Sequence, residues 1–515
     1  MKKILLLGAF ISSFSAFSQD GTLDLTFGSG GKVSTSINSG EDKARSVSLQ
    51  SDGKIVAVGY TYNPIFGYDF ACVRYNTDGS LDTSFGTDGK VSYDLQAGSD
   101  DKAYSVDIQM DGKIVLAGYS DDGTDRAGAV IRLNANGTLD TSFNTSGKVF
   151  TNFTIYNTNP RTDVFRVVKV HHVTGNIVVG GESILNTNES KGIFARYNPS
   201  GQLDTTFADN GKLINLPFPE SNTIGFMFSI EDLNIKSNGK ITAVGWSDIP
   251  GNGSLLYARH YVCRLNSSGT LDTTFSTDGF SSNSFSTSDN KSYSLLLNPD
   301  DTSFFSGSSR WSSTDYKYYF GTVSSIGTVN LRGTIDFSPN TIDMSYGMAK
   351  ASDGKILISG SSINSSLATA SFSMARINAD YTIDTTFGTN GLVNTSFEAN
   401  SYSESFDIAL QADDKIIVVG YTGSDFAVAR YNGAALSTST FDSSKLKIYP
   451  NPTTSLLQIA GTFDDTSYQI FDMNSKWIKS GQLNANDENT VSVEDLKNGL
   501  YFIVIDNIVS KFIKK

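Results

Sequence analysis

The chain has 515 residues, with 40 Lys and Arg against 53 Asp and Glu, a formal net charge of -13. That acidic balance argues against a nucleic-acid partner, which needs a clustered positive surface. Two cysteines exclude a disulfide-dense scaffold and three histidines leave little for a His-based metal centre.

Met1-Lys2-Lys3 is a positive start, Ile4 to Phe10 is apolar, and Ala16-Phe17-Ser18 before Gln19 is a small-residue cleavage site. This pattern predicts a secretory signal peptide over 1–18. The apolar run is too short to span the ~30 Å of a bilayer interior. No later run approaches the length of a transmembrane helix, so none is expected.

One phrase then recurs: Leu-Asp-Leu-Thr-Phe at Leu23, Leu-Asp-Thr-Ser-Phe at Leu81 and Leu139, Leu-Asp-Thr-Thr-Phe at Leu203 and Leu271, and Ile-Asp-Thr-Thr-Phe at Ile383. Successive copies stand 58, 58, 64, 68 and 112 residues apart. The last gap is close to double, which points to a worn seventh copy at Gly327-Thr328-Val329-Asn330-Leu331-Arg332-Gly333. A fixed period of this length marks stacked repeats.

Each copy carries four strand signals. In the first, Lys32–Asn38 is polar and Arg45–Gln50 alternates, with Val47 and Leu49 on one face. Asp52-Gly53 suits a tight hairpin. Lys54–Tyr60 is a continuous apolar run, as in a strand buried on both faces, and Phe70–Asn76 follows. The seventh copy repeats this at Phe406–Gln411, Lys415–Tyr421 and Phe426–Asn432. Four short antiparallel strands per unit make one propeller blade. The fold expected is all-β: a seven-bladed β-propeller over 19–432, closed by the N-terminal strand, which completes the last blade and removes an exposed edge.

Arg stands eight residues before the Asp of the phrase at Arg74/Asp82, Arg132/Asp140, Arg196/Asp204, Arg264/Asp272 and Arg376/Asp384. Thr322 and Asn330 replace both in the worn copy. Arg430 and Asp24 are left over and are expected to meet as the closure pair. The ladder is read as a repeated structural clamp. The phrase's Phe residues are read as plugs between blades.

The phrases, the Asp-Gly-Lys-Ile turn and the Arg-Tyr-Asn strand end resemble delta-60 repeat proteins, a family of propeller-type bacterial surface or secreted proteins. The resemblance carries no catalytic residues. After a Ser/Thr-rich linker at 433–444, Tyr449-Pro450-Asn451-Pro452, Gly499-Leu500-Tyr501 and Lys511 resemble the C-terminal sorting domain of type IX (Por) secretion over 445–515. This implies passage through the periplasm and the outer membrane by the type IX machinery, tail removal, and release or attachment to surface lipopolysaccharide. A small β-sandwich is expected there, with strands at Ser467–Asp472 and Gly499–Ile505.

No residue signals catalysis, a cofactor or a metal. Adjacent His171 and His172 point to opposite faces of a strand, and His260 lies in another repeat. Cys72 and Cys263, on corresponding strands of separate repeats, are expected as buried thiols. The loop Asn76–Asp82 has calcium-loop composition, but Arg74 takes the place of a first carboxylate. The loops Thr61–Tyr68, Glu182–Gly192, Asn215–Phe226, Ser247–Arg259 and Ser309–Tyr319 vary in length and share one face, where recognition usually lives. Tyr62, Phe66, Tyr68, Trp246, Trp311, Tyr316 and Tyr318 are the candidate ligand-face aromatics. The function expected is that of an exported, monomeric, non-enzymatic binding or scaffold protein for a glycan, peptide or surface partner. The alternative is a secreted carbohydrate-active enzyme using carboxylates near the axis.

Overall fold

A computed structural model describes the chain apart from residues 1–18, 154–161, 187–188, 215–226, 251–255, 284–288, 399–400, 434–446, 461–465, 473–476, 484–488 and 506–507. The signal-peptide segment, the Asn215–Phe226 loop and nearly all of the linker lie outside the described residues. So do parts of the loops at 182–192 and 247–259. Two compact units emerge, Met1–Ala435 and Leu436–Lys515. Every described element is a strand, and no described helix is long and apolar enough to cross a membrane.

The first unit is built of propeller-type repeats, each a small antiparallel sheet. In the first, Asp42–Leu49, Ile55–Asn63, Gly67–Tyr75 and Lys90–Tyr93 pair in that order. Four more sheets have four strands. An eight-stranded sheet holds the fifth and sixth repeats, joined by one parallel bridge between Tyr316 and Ile342. The second strand of most repeats is the apolar run, and its side chains are buried on both faces, as Ile55–Tyr60 show. In the fifth repeat the corresponding strand, Ser303–Arg310, is buried but rich in serine.

The two ends of the repeat region meet. Lys32–Thr35 pairs antiparallel with Asp425–Tyr431, with Lys32 opposite Ala429 and Thr35 opposite Phe426. Asp24 N donates to Arg430 O at 2.8 Å, and Asn432 N to Thr22 O at 2.8 Å. Phe27, Ala44 and Ile55 share a core cluster with Ile417, Val419 and Val428.

Five Arg–Asp clamps repeat with one geometry. Nε to Oδ2 is 2.8 Å at Arg74/Asp82, 2.7 Å at Arg132/Asp140, 2.9 Å at Arg196/Asp204, and 2.8 Å at both Arg264/Asp272 and Arg376/Asp384. Arg430 and Asp24 form the sixth, at 2.8 Å. Each guanidinium also lies over the Phe of its own phrase, as Arg74 does over Phe85 at 4.6 Å. Most reach onward to the next repeat: Arg132 Nη1 donates to Pro199 O at 2.6 Å, and Arg264 Nη1 to Ser325 O at 2.7 Å. In the worn copy Thr322 faces Asn330 within a simple strand pair, and Arg332 Nε donates to Thr322 Oγ1 at 3.1 Å. The Phe rings fill the gaps between sheets. Gly79, at φ +87, leaves room for Phe27, whose ring a Cβ would meet at 2.9 Å.

In the second unit, Lys447–Tyr449, Leu456–Ala460 and Thr490–Ser492 form one sheet. Trp477–Leu483, Thr466–Asp472, Gly499–Ile505 and Ile508–Lys514 form the other. Leu457, Ile459, Ile470, Val491, Ile503 and Phe512 share one core between them.

Candidate functional site

The first strand of every repeat carries a β-bulge at the same place. The extra residues are Arg45, Tyr104, Arg166, Glu231, Tyr293, Tyr346 and Phe406. A bulge bends the strand and re-aims one side chain. The cause is visible on the neighbouring strand. Gly59, Gly118, Gly181, Gly245, Gly307, Gly360 and Gly420 face the bulges, and a Cβ at any of them would overlap the carbonyl oxygen of Lys43, Lys102, Val164, Ser229, Lys291, Met344 or Glu404 respectively.

The seven bulge residues line one cavity of about 470 Å³, with residues from the first strand of every repeat around it. They form a girdle. The Arg45 guanidinium lies 3.8 Å from the Phe406 ring centre and 5.4 Å from that of Tyr104. Arg166 lies 4.9 Å from Tyr104 on its other side and pairs with buried Glu182 at 2.6 Å. Trp246 Nε1 donates to Glu231 Oε1 at 2.9 Å, and Tyr346 stands 5.2 Å from Tyr293 and 5.1 Å from Phe406.

Beyond the girdle the cavity wall carries Asp107, Asp232 and Asp407 around Lys169. Burial pushes Asp232 up to about 6 despite the opposing charge of Lys169, and burial raises Asp407 as well. Burial works against the Lys169 ammonium, but the three carboxylates outweigh it and raise its pKa. Each carboxylate is already engaged. Asp232 accepts from Leu233 N and Leu295 N, both at 2.8 Å. Asp107 accepts from Ile108 N at 2.9 Å and Val170 N at 2.7 Å. Asp407 accepts from Ile408 N at 2.8 Å, Val47 N at 2.9 Å and Ser46 Oγ at 2.8 Å. They staple the three first strands that carry them to the next repeat, at Val170, Leu295 and Val47.

At the N-terminal ends of the first strands lies a strip of rings and charges. Tyr68 packs edge-on to Tyr60 at 5.4 Å and to Tyr62 at 5.1 Å. Lys102 Nζ sits 3.6 Å from the Tyr68 ring centre and 4.7 Å from that of Tyr60. Tyr68 OH donates to Glu41 Oε2 at 3.0 Å, and Glu41 pairs with Lys43 at 2.8 Å. Lys43 lies 4.4 Å from the Tyr421 ring centre, with Tyr402 at 6.5 Å from Tyr421. The strip thus crosses the seventh, first and second repeats. Tyr62 is 38% and Tyr402 38% exposed.

The sequence-derived aromatics divide. Tyr62, Phe66 and Tyr68 share one hairpin, with Phe66 exposed at its tip. Trp311 is exposed and half-buried Tyr316 lies near it in the fifth repeat, away from the strip. Half-buried Trp246 belongs to the shoulder of the cavity, with Lys291 3.5 Å from its ring centre. Tyr318 is no ligand-face residue: it is fully buried, its hydroxyl 2.7 Å from Ser373 Oγ, because the pleat turns it inward one step from Lys317. Sequence reading missed Tyr60, Tyr402, Tyr421 and Lys102. The recurring Gly-Tyr at Gly59-Tyr60 and Gly420-Tyr421 was the available signal. In the loop at 76–82 the carboxylates are engaged: Asp78 Oδ1 accepts from Ser80 N at 2.9 Å, and Asp82 Oδ2 accepts from Arg74 Nε at 2.8 Å. Cys72 and Cys263 are buried thiols, and buried His260 stacks on Phe305 at 4.7 Å.

Comparison with known families matches residues 447–515 to the secretion system C-terminal sorting domain. Segments 50–85, 109–143, 174–207, 236–275, 351–387 and 411–433 match a β-propeller domain of unknown function, DUF5122. The delta-60 description is consistent with that propeller family. A tail of this kind implies export by type IX secretion. None of the curated proteins matches the chain significantly. Among solved structures, an inactive virginiamycin B lyase from Staphylococcus aureus with quinupristin is 11% identical, covering 78% of this chain and 98% of its own at TM-score 0.44. An ulvan lyase is 10% identical over 76% and 94%, at TM-score 0.45. A protein of unknown function from Dyadobacter fermentans is 13% identical over 78% and 97%, at TM-score 0.42.

Proposed function

We propose that this chain, which carries DUF5122 β-propeller repeats and a type IX sorting tail, is an exported seven-bladed binding protein for a glycan. The propeller occupies 19–432, the linker 433–444 and the sorting module, a small β-sandwich, 445–515. The ring is closed by Lys32–Thr35. Three observations support seven blades and closure: one cavity is lined by all seven first strands, the end strands pair, and Arg430 meets Asp24.

The aromatic strip carries the functional reading. Tyrosine rings offer flat apolar faces, and the ammonium and carboxylate groups between them offer polar edges. A sugar chain presents the same alternation of C–H faces and hydroxyl edges. A peptide or surface protein is the other partner of this chemistry. The strip lies on the face of the variable loops, on a rigid scaffold. The exported chain is expected to bind oligosaccharides on a glycan array, and loss of that binding in Tyr62→Ala/Tyr68→Ala would place it at the strip. Silence across the array, with retention of a peptide library, would replace the glycan by a peptide.

The enzymatic alternative has one observation in its favour, the raised pKa of Asp232 beside the cavity. Against it, Asp107, Asp232 and Asp407 all spend their oxygens on backbone N–H groups. Turnover of a polysaccharide by the wild-type chain, abolished by Asp232→Asn, would reverse the ranking.

A further inference from the structure

We propose that Asp69, Asp94 and Asp101 form a calcium-binding site at the junction of the first and second repeats. Asp69 lies on Gly67–Tyr75, Asp94 just after Lys90–Tyr93, and Asp101 on Asp100–Ile108. One oxygen from each lies within 4.8 Å of those of the other two. Oxygen ligands stand ~2.4 Å from calcium, so oxygens on one coordination sphere are at most about 4.8 Å apart.

Two of the three carboxylates hold oxygens with nothing to bind them. Asp69 is only 4% exposed, and its Oδ1 has no hydrogen-bond partner. Asp94 Oδ1 is likewise buried and unpartnered, while its Oδ2 accepts from Gly98 N at 3.1 Å. Asp101 is the fixed member, accepting from Leu95 N at 2.6 Å and Ser99 Oγ at 2.7 Å. A buried carboxylate without a donor is costly unless a cation faces it.

The protein contains its own control. At the junction of the fifth and sixth repeats, Asp336 and Asp343 occupy the places of Asp94 and Asp101. Phe337 N donates to Asp343 Oδ2 at 2.9 Å, as Leu95 N does to Asp101. Strand register puts Lys317 at the place of Asp69: Lys317 pairs with Ser309 as Asp69 does with Thr61. Lys317 Nζ stands 2.9 Å from Asp336 Oδ2. That junction supplies an ammonium to its carboxylates. The first junction supplies a third carboxylate and therefore takes its cation from solution. At the closing junction Ser36 stands in the place of Asp94, leaving two carboxylates, and Ser34 Oγ lies 3.1 Å from Asp425 Oδ2.

Calcium fits better than magnesium. Magnesium demands near-octahedral geometry and keeps several waters, whereas calcium accepts irregular carboxylate sets, with dissociation constants of ~10⁻⁴–10⁻³ M in extracellular modules. The test is calorimetric titration of the chelated full chain with CaCl2 or MgCl2, with thermal melting in chelator and in about 5 mM CaCl2. One calcium is expected per chain, with magnesium at least about tenfold weaker and a rise in Tm on the order of a few degrees. Asp69→Asn should weaken binding about tenfold. Asp69→Lys should abolish it, with a Tm indifferent to chelator. Circular dichroism checks that both variants fold, and Asp69→Asn serves if Asp69→Lys does not. No heat and no Tm change in the wild type would overturn the proposal. So would full calcium response in either folded variant, or equal affinity for the two metals.

Discussion

Arg430 Nε stands 2.8 Å from Asp24 Oδ2, although the two residues lie at opposite ends of the repeat region. The pair stands where the clamp stands inside single repeats, as an ion pair without the Nε hydrogen bond of the others, and is buried to 7% and 5% side-chain exposure. Lys415 Nζ shares the same carboxylate oxygen. Removing Arg430 leaves buried Asp24 with Lys415 alone, which puts the loss at the low end of the ~3–5 kcal/mol of a broken buried pair.

Arg430→Ala is therefore expected to destabilise the first unit by about 3 kcal/mol and to speed hydrogen exchange at Lys32–Thr35. Arg196→Ala removes a clamp of 11% and 14% exposure and is expected to cost less. Denaturant unfolding and exchange mass spectrometry read both. Unchanged protection of Lys32–Thr35 in Arg430→Ala would show that the clamp does not hold the closing strand.

Acid should release the same clamp. Burial alone would raise Asp24, but bonds from Lys415 and Thr26 and the charge of Arg430 bring it down to about 2. A carboxylate depressed in the fold stabilises above its unfolded value of about 3.9 and loses that contribution as pH falls through its folded value. Asp24→Asn should then flatten the decline in Tm between about pH 4 and pH 2. An equally steep decline in the variant would remove Asp24 from the account.

The bulges depend on glycine. Gly118→Ala drives a methyl into the Lys102 carbonyl and is expected to cost about 1–3 kcal/mol through strain. The shift should also disturb Tyr104, which that bulge aims at the girdle. A Tm equal to wild type would mean that the strand can shed its bulge.

The candidate aromatics should separate by role. Tyr62→Ala/Tyr68→Ala is expected to weaken glycan binding about tenfold with Tm nearly unchanged. Trp311→Ala should leave binding as it was. Tyr318→Ala should destabilise by about 3–5 kcal/mol, as expected for a buried ring. Binding lost with Trp311 and kept without Tyr62 and Tyr68 would move the site to the fifth repeat.

Local pattern was enough for much of the fold. The Asp-Thr-Thr-Phe phrase, the Asp-Gly hairpins and the apolar Lys54–Tyr60 run placed the repeats and most of their strands. The period-eight Arg and Asp ladder even identified the unpaired Arg430 and Asp24. What local pattern left out was phase. Val47 and Leu49 do share one core face, as alternation set them, but the bulge at Arg45 shifts the count before them, so Ala44 joins Val47 in the same core. One extra residue decides which side chains face the cavity, and alternation alone does not register it.

By itself, the sequence determined a repeating all-β chain with a secretion tail, because hydrophobic period, turn glycines and short motifs are local properties. Only tertiary structure decided that Arg45 and Phe406 touch, that Tyr402, Tyr421 and Tyr68 make one strip, and that Asp69, Asp94 and Asp101 converge. Those meetings depend on the register between neighbouring sheets, and register is fixed by packing between repeats rather than by any stretch of chain.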